Sequence, residues 1–211
     1  SIYLKRDPPL EFHKLIVAGN AISPYQYRIL FPSIVHAFAI STRQFIDYDY
    51  DKLVFFYYSL IGSLAIFLSL YFFYFYLRKF FDVNMSFIGL LYLTAIYPLS
   101  FVSHYIAPWE KLNFLFFIIS FLLIIENRFF YLSIFLPLAA LNKETTLFIP
   151  IFYFFYNYNK KDRVKVALKS LVLLIEWALI YVGLRVIFGL RQDIRLYKDY
   201  MIWNLTMLDP K

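Results

Sequence analysis

Long uncharged stretches broken by short charged punctuation run through most of the chain. Residues 53–77 carry no formal charge over 25 positions, and residues 83–109 none over 27. A soluble helix shows an apolar stripe on one face, whereas an unbroken run of ~18 or more residues suits a helix crossing the ~30 Å hydrocarbon layer of a bilayer. The pattern predicts one such helix over 53–77, closed by Arg78-Lys79, and a second over about 85–103. Three shorter runs follow, 112–125, 129–142 and 145–159, of 14, 14 and 15 uncharged residues, separated by Glu126-Asn127-Arg128 and by Lys143-Glu144. As helices they reach only ~21–22 Å, so each must thin the bilayer, borrow its flanks or end inside the protein. The basic Lys160-Lys161-Asp162-Arg163 leads into 166–190, an apolar run interrupted by Lys169, Glu176 and Arg185.

The N-terminal part reads differently. Residues 1–28 are polar, with Pro8-Pro9 and a Gly19-Asn20 turn, and admit at most one helix, over 10–18. The next apolar stretch, 29–40, contains Pro32, Ser33 and His36. At ~18 Å it is too short to cross, which predicts an interfacial or re-entrant helix over about 29–41. The expected architecture is an all-α integral membrane protein. An external segment, 1–52, precedes a transmembrane helical bundle of five or six spans, several of them short, over 53–190. A polar tail, 191–211, ends in an amphipathic piece around 200–208. The missing initiator Met and the abrupt C-terminus lead us to expect a fragment lacking flanking spans.

Composition agrees: 62% apolar, 23% aromatic and 17% charged residues, against ~45–50% apolar and ~25% charged in soluble domains. The 21 Lys and Arg outnumber 14 Asp and Glu, for a net +7, but most of the cations flank apolar runs, where they snorkel towards headgroups and set orientation. Membrane lipids, not nucleic acid, are therefore the expected partners. With no cysteine there is no disulfide framework, thiolate metal site or thiol nucleophile. If every run from residue 53 crosses once and Lys160–Lys165 is cytoplasmic, that side holds Arg78, Lys79, Arg128, Lys160, Lys161, Arg163 and Lys165. Arg43, Lys52, Lys111 and Lys143, with most loop acids, fall outside.

Two charged dyads then stand at external helix mouths, Glu110-Lys111 and Lys143-Glu144. Adjacent helical side chains point ~100° apart, so Lys143 and Glu144 cannot satisfy each other and need partners from other segments. Such groups at membrane depth mark functional sites; the alternative is a pair of solvated loop ends. Asp7 and Glu11 share a face if Pro8-Pro9 opens a helix, which suits a base or a metal-binding carboxylate as well as an ordinary N-cap. Arg28, among aromatics at the entry to an apolar stretch, can grip a phosphate or snorkel. His13, His36 and His104 lack ligand spacing, Asp47–Asp51 lacks the Gly and closing Glu of a calcium loop, and Glu176 could pair with Lys169 or Arg185.

Three stretches, PYQYRILFP at 24–32, Tyr105 to Trp109-Glu110 and AALNKETTL at 139–147, resemble the multi-span membrane proteins grouped with GT-C-type glycosyltransferases. That family shows a tyrosine-rich YR-x-L-x-P stretch, an acidic residue before an apolar hairpin and a basic-Glu-Thr motif. The resemblance implies a multi-helix membrane enzyme with an acidic residue of a large first external loop as catalytic base and a polyprenyl-phosphate-linked sugar as donor. Asp7 or Glu11 would be that base, unless it belongs to the N-terminal part expected to be missing. Glu144 joins the catalytic candidates by orienting the donor or a cation such as Arg28, and Arg28, Glu110, Lys111 and Lys143 are substrate-binding candidates. Two departures stand out: Lys143 replaces the expected Arg, and the span before the loop is absent. No cofactor follows from the residues, and a divalent metal requirement stays open. The expected location is a prokaryotic plasma membrane. The alternative is a non-enzymatic membrane subunit or transporter built around an intramembrane Lys-Glu pair.

Overall fold

A computed structural model describes residues 8–21, 23–100, 109–159 and 162–189. Those residues form eight α-helices and two short 3₁₀ turns, with no strand among them. The helices are α1 (Pro8–Val17), α2 (Leu30–Arg43), α3 (Tyr50–Leu77), α4 (Val83–Ser100), α5 (Glu110–Ile125), α6 (Phe129–Asn142), α7 (Phe148–Asn157) and α8 (Arg163–Phe188). The turns are Tyr25–Tyr27 and Glu144–Leu147. Two helices, α3 with 28 residues and α8 with 26, are long and apolar enough to cross a membrane. The others are shorter. Asp7, the segment 101–108 and the tail piece around 200–208 lie outside the described residues.

Local chemistry accounts for the boundaries. Asp49 caps α3 by accepting from Lys52 N at 3.0 Å, Asp82 accepts from Met85 N at 2.8 Å at the start of α4, and Asp162 caps α8 through Val164 N at 3.0 Å. Each carboxylate satisfies an orphan donor of a helix's first turn. Between α5 and α6 the chain reverses at Asn127, whose φ of 59° lies in the left-handed region. Asn127 N donates to Ile124 O at 3.1 Å and Arg128 N to Leu123 O at 2.9 Å, the paired bonds of a Schellman stop.

Charged contacts fix how the helices run. Lys79 after α3 meets Glu126 after α5 at 2.7 Å, and Glu126 also binds Arg128 at 3.0 Å, so α3 and α5 run parallel. Their N-terminal ends meet too, where Leu53 and Val54 share a core with Trp109. α6 turns back along α5, and α8 packs on α6 and α7. α1 and α2 cover the N-terminal end of α3 through Ile16, Phe31, Val35 and Ala39. α2 and α1 thus match the helices expected near 29–41 and 10–18.

Large apolar side chains face outward from the long helices as well as inward. α3 exposes Phe55, Leu60, Leu64 and Phe67 while burying Gly62, Ala65 and Ser69, and α8 exposes Leu171, Ile175, Leu179 and Val186. The small residues of α3 let neighbouring backbones approach closely, whereas α8 packs through Val166, Leu173, Trp177 and Leu184.

Candidate functional site

The two charged dyads and Arg28 gather at the end of the bundle where α5 begins and α6 ends. Lys143 stands between α6 and the second 3₁₀ turn with extended backbone (φ −161°, ψ 140°), so its side chain and that of Glu144 diverge. The Lys143 ammonium reaches Glu110 in the first turn of α5 at 2.5 Å. Glu144 instead takes Arg28 in a two-point grip: Arg28 Nε donates to Oε2 at 3.2 Å and Nη2 donates to Oε1. The expectation that Lys143 and Glu144 each need a partner from another segment is met, by Glu110 and Arg28.

Arg28 is 8% exposed, so the snorkelling alternative fails. Its guanidinium lies over the Tyr25 ring at 5.3 Å and the Trp109 ring at 5.2 Å, a stacked, desolvated setting that Arg suits better than Lys. Asn142 Nδ2 donates to Trp109 O at 3.1 Å, tying the end of α6 to the start of α5. The contacts close a ring: Arg28 to Glu144, along the chain to Lys143, across to Glu110, back to Trp109 and onto Arg28. Burial raises the Glu144 carboxyl, but the hydrogen bonds and charge of Arg28 outweigh it and hold the group below the usual carboxylate range. The carboxylate therefore stays charged at neutral pH and serves Arg28 as a fixed counter-ion.

The Tyr25–Tyr27 turn that carries Arg28 is anchored to the C-terminal end of α8. Gln26 Nε2 and Tyr27 OH both donate to Gly189 O, at 2.8 and 2.9 Å. Gly189 ends α8 with φ 71° and ψ 176°, an extended positive-φ conformation open essentially to glycine, and its carbonyl accepts both. Arg185, one turn earlier, lies over the Tyr27 ring at 4.6 Å and the Tyr181 ring at 3.5 Å.

Other expected residues sit apart. Glu11 is exposed in the first turn of α1 and joins neither ion pair. Lys111 lies along α3 rather than in the ring. Glu176 pairs with neither Lys169 nor Arg185: it accepts from Ser133 of α6, while Lys169 lies over Phe129 at 5.0 Å and Arg185 over its tyrosines. Among the described residues no group of three or more His, Asp or Glu side chains is gathered to hold a metal ion.

Sequence reasoning missed a second cluster. Tyr50 OH bridges His13 Nε2 at 2.9 Å and His36 Nδ1 at 2.7 Å, and Tyr58 OH reaches His13 Nδ1 at 3.0 Å. These bonds join α1, α2 and α3. Burial, helped by His36 and Lys14 and opposed by Asp51, lowers the His13 imidazole to about 4. The one available signal was His13 lying three before Ile16, on the inward face of α1. Acidic residues of 47–51 serve structure here, Asp49 as a cap and Asp51 in an ion pair with Lys14 at 2.8 Å.

Compared with known families, with curated proteins and with solved structures, the chain matches none.

Proposed function

We propose that the chain is the helical core of a GT-C-like membrane glycosyltransferase that moves a sugar from a polyprenyl-phosphate-linked donor to an acceptor hydroxyl on the external face. One observation carries the reading. Described residues of the three separated stretches that resemble the family, at 24–32, 105–110 and 139–147, meet through Arg28–Glu144, Arg28 over Trp109 and Lys143–Glu110. Trp109-Glu110 and Lys143 share the α5–α6 hairpin, but nothing in that hairpin calls for Arg28, 116 positions from Glu144, to join them.

The multi-span reading is supported by how the helices run. α3 and α8 have spanning length, the helices between them run alternately between the same two ends, and large apolar side chains face outward. One end gathers Lys79, Glu126 and Arg128; the other holds the ring. By the excess of Lys and Arg in the loops, the Lys79 end is cytoplasmic and the ring external.

In this reading the bond from the sugar to the donor phosphate breaks as the acceptor oxygen attacks. A carboxylate takes the hydroxyl proton, and protein cations neutralise the departing phosphate. Glu11, exposed at the same end, is the described candidate base. Glu144 is committed to Arg28 and acts as a positioning residue. The test is the full chain in proteoliposomes with radiolabelled polyprenyl-phosphate hexoses and a hydroxyl acceptor. Release of polyprenyl phosphate with label moving to acceptor supports the reading. No donor binding or turnover, together with solute flux that depends on positions 143 and 144, makes the protein a transporter instead.

A further inference from the structure

Charge balance separates the three cations near the ring. Arg28 is neutralised by Glu144 and Lys143 by Glu110. Lys111, in the first turn of α5, is half-buried, and among the described residues no carboxylate pairs with it. Its side chain lies against α3 at Gly62, where a Cβ would stand 3.0 Å from Lys111 Cδ and 3.1 Å from Nζ. Glycine is a poor residue inside a helix, and no positive φ calls for it at this position. What it does provide is a notch that seats the lysine.

A partly desolvated ammonium without a counter-ion is costly until an anion joins it. Trp109, two residues before Lys111, and Thr145, next to Glu144, carry a buried Nε1 and Oγ1 with no hydrogen-bond partner among the described residues, so donors beside the ring are also unspent. We infer that Lys111, seated in the Gly62 notch, receives the phosphate of the lipid donor, while Arg28 and Lys143 hold Glu144 and Glu110 in place. The inference rests on the donor reading above. It shifts phosphate binding from the paired cations to the unpaired one and gives Gly62 a positioning role. An ammonium acts as a compact point charge that tolerates reorientation of a phosphate as it becomes a leaving group.

The test uses the full chain in lipid nanodiscs with decaprenyl phosphate as probe and decaprenol and inorganic phosphate as controls. Decaprenyl phosphate should bind at least about tenfold more tightly than either control, since only it offers both charge and chain. Lys111→Met should weaken probe binding by about tenfold or more, the loss of one charge-assisted contact, and leave decaprenol binding unchanged. Gly62→Ala should weaken it about threefold or more while holding or raising the thermal midpoint, because alanine is the better helix former. In the wild type the probe should shield Lys111 from reductive methylation, read peptide by peptide by mass spectrometry. Wild-type affinity in both variants, with unshielded Lys111 and binding lost instead in Arg28→Gln and Lys143→Gln, overturns the assignment and leaves the donor reading standing. Inorganic phosphate binding as tightly as the probe overturns a lipid source. No probe binding by the wild type overturns both.

Discussion

Replacing Glu144 with glutamine keeps its shape and removes the counter-charge of a guanidinium that is 8% exposed. Arg28 then retains its stacking on Tyr25 and Trp109 but loses a two-point charged partner. Breaking a buried ion pair from one side costs ~3–5 kcal/mol, because the remaining charge stays desolvated. The Glu144 side chain is one-third exposed (33%), so water screens part of this and we expect about 2–4 kcal/mol. Arg28→Met with Glu144→Gln removes both charges, and its cost should fall well below the sum of the single variants, by about 2 kcal/mol or more. The assay is reversible unfolding in mixed micelles of the wild type, both single variants and the double variant, followed by tryptophan fluorescence, to which Trp109 contributes. Costs adding to within about 0.5 kcal/mol would mean that the two groups do not interact and would refute the ring. The same pair sets a pH dependence. The folded Glu144 carboxyl lies below its unfolded value, so the stabilisation is full above the ordinary carboxylate range and disappears as pH falls through the folded value.

Two further outcomes follow from the packing. His13 is lowered from 6.5 to about 4 in the fold, so the unfolded chain takes up the proton first and stability should fall as pH drops from 6.5 towards 4; His13→Phe should flatten that part of a plot of thermal midpoint against pH. At Asn127, with φ 59°, glycine should be tolerated or mildly stabilising, while valine should cost ~1–2 kcal/mol in the same unfolding assay.

The helix framework was legible because charged punctuation brackets apolar runs. Arg128 and Lys143 bound α6 at the residues where the uncharged run starts and stops, and Asp162 marks α8 by capping it. The need for outside partners at Lys143 and Glu144 was legible as well. Their identity was not, since Arg28 lies 116 positions from Glu144 and Glu110 lies 33 from Lys143. Nothing local encodes the choice of partners: the alternating topology had set the two dyads at external helix mouths, and only the family resemblance linked the 24–32 stretch to them. Glu176 shows the opposite failure. A spacing of seven places Lys169 two turns away on the same face, yet both nearby cations turn to aromatic rings and a serine of α6 supplies the partner. The His13–Tyr50–His36 bridge escaped because its members come from three helices and follow no ligand spacing.

Site, sidedness and donor all depend on the two ends of the bundle lying on opposite sides of a bilayer. The chain has no cysteine, so single substitutions report without background. Asp47→Cys stands at the ring end, and Phe80→Cys and Lys165→Cys at the other, each at an exposed position. In intact cells an impermeant maleimide should label position 47 alone, with positions 80 and 165 reacting only after permeabilisation. Equal labelling of all three from outside, or labelling of 80 and 165 without 47, would contradict the membrane-spanning bundle with its ion-paired ring on the external face.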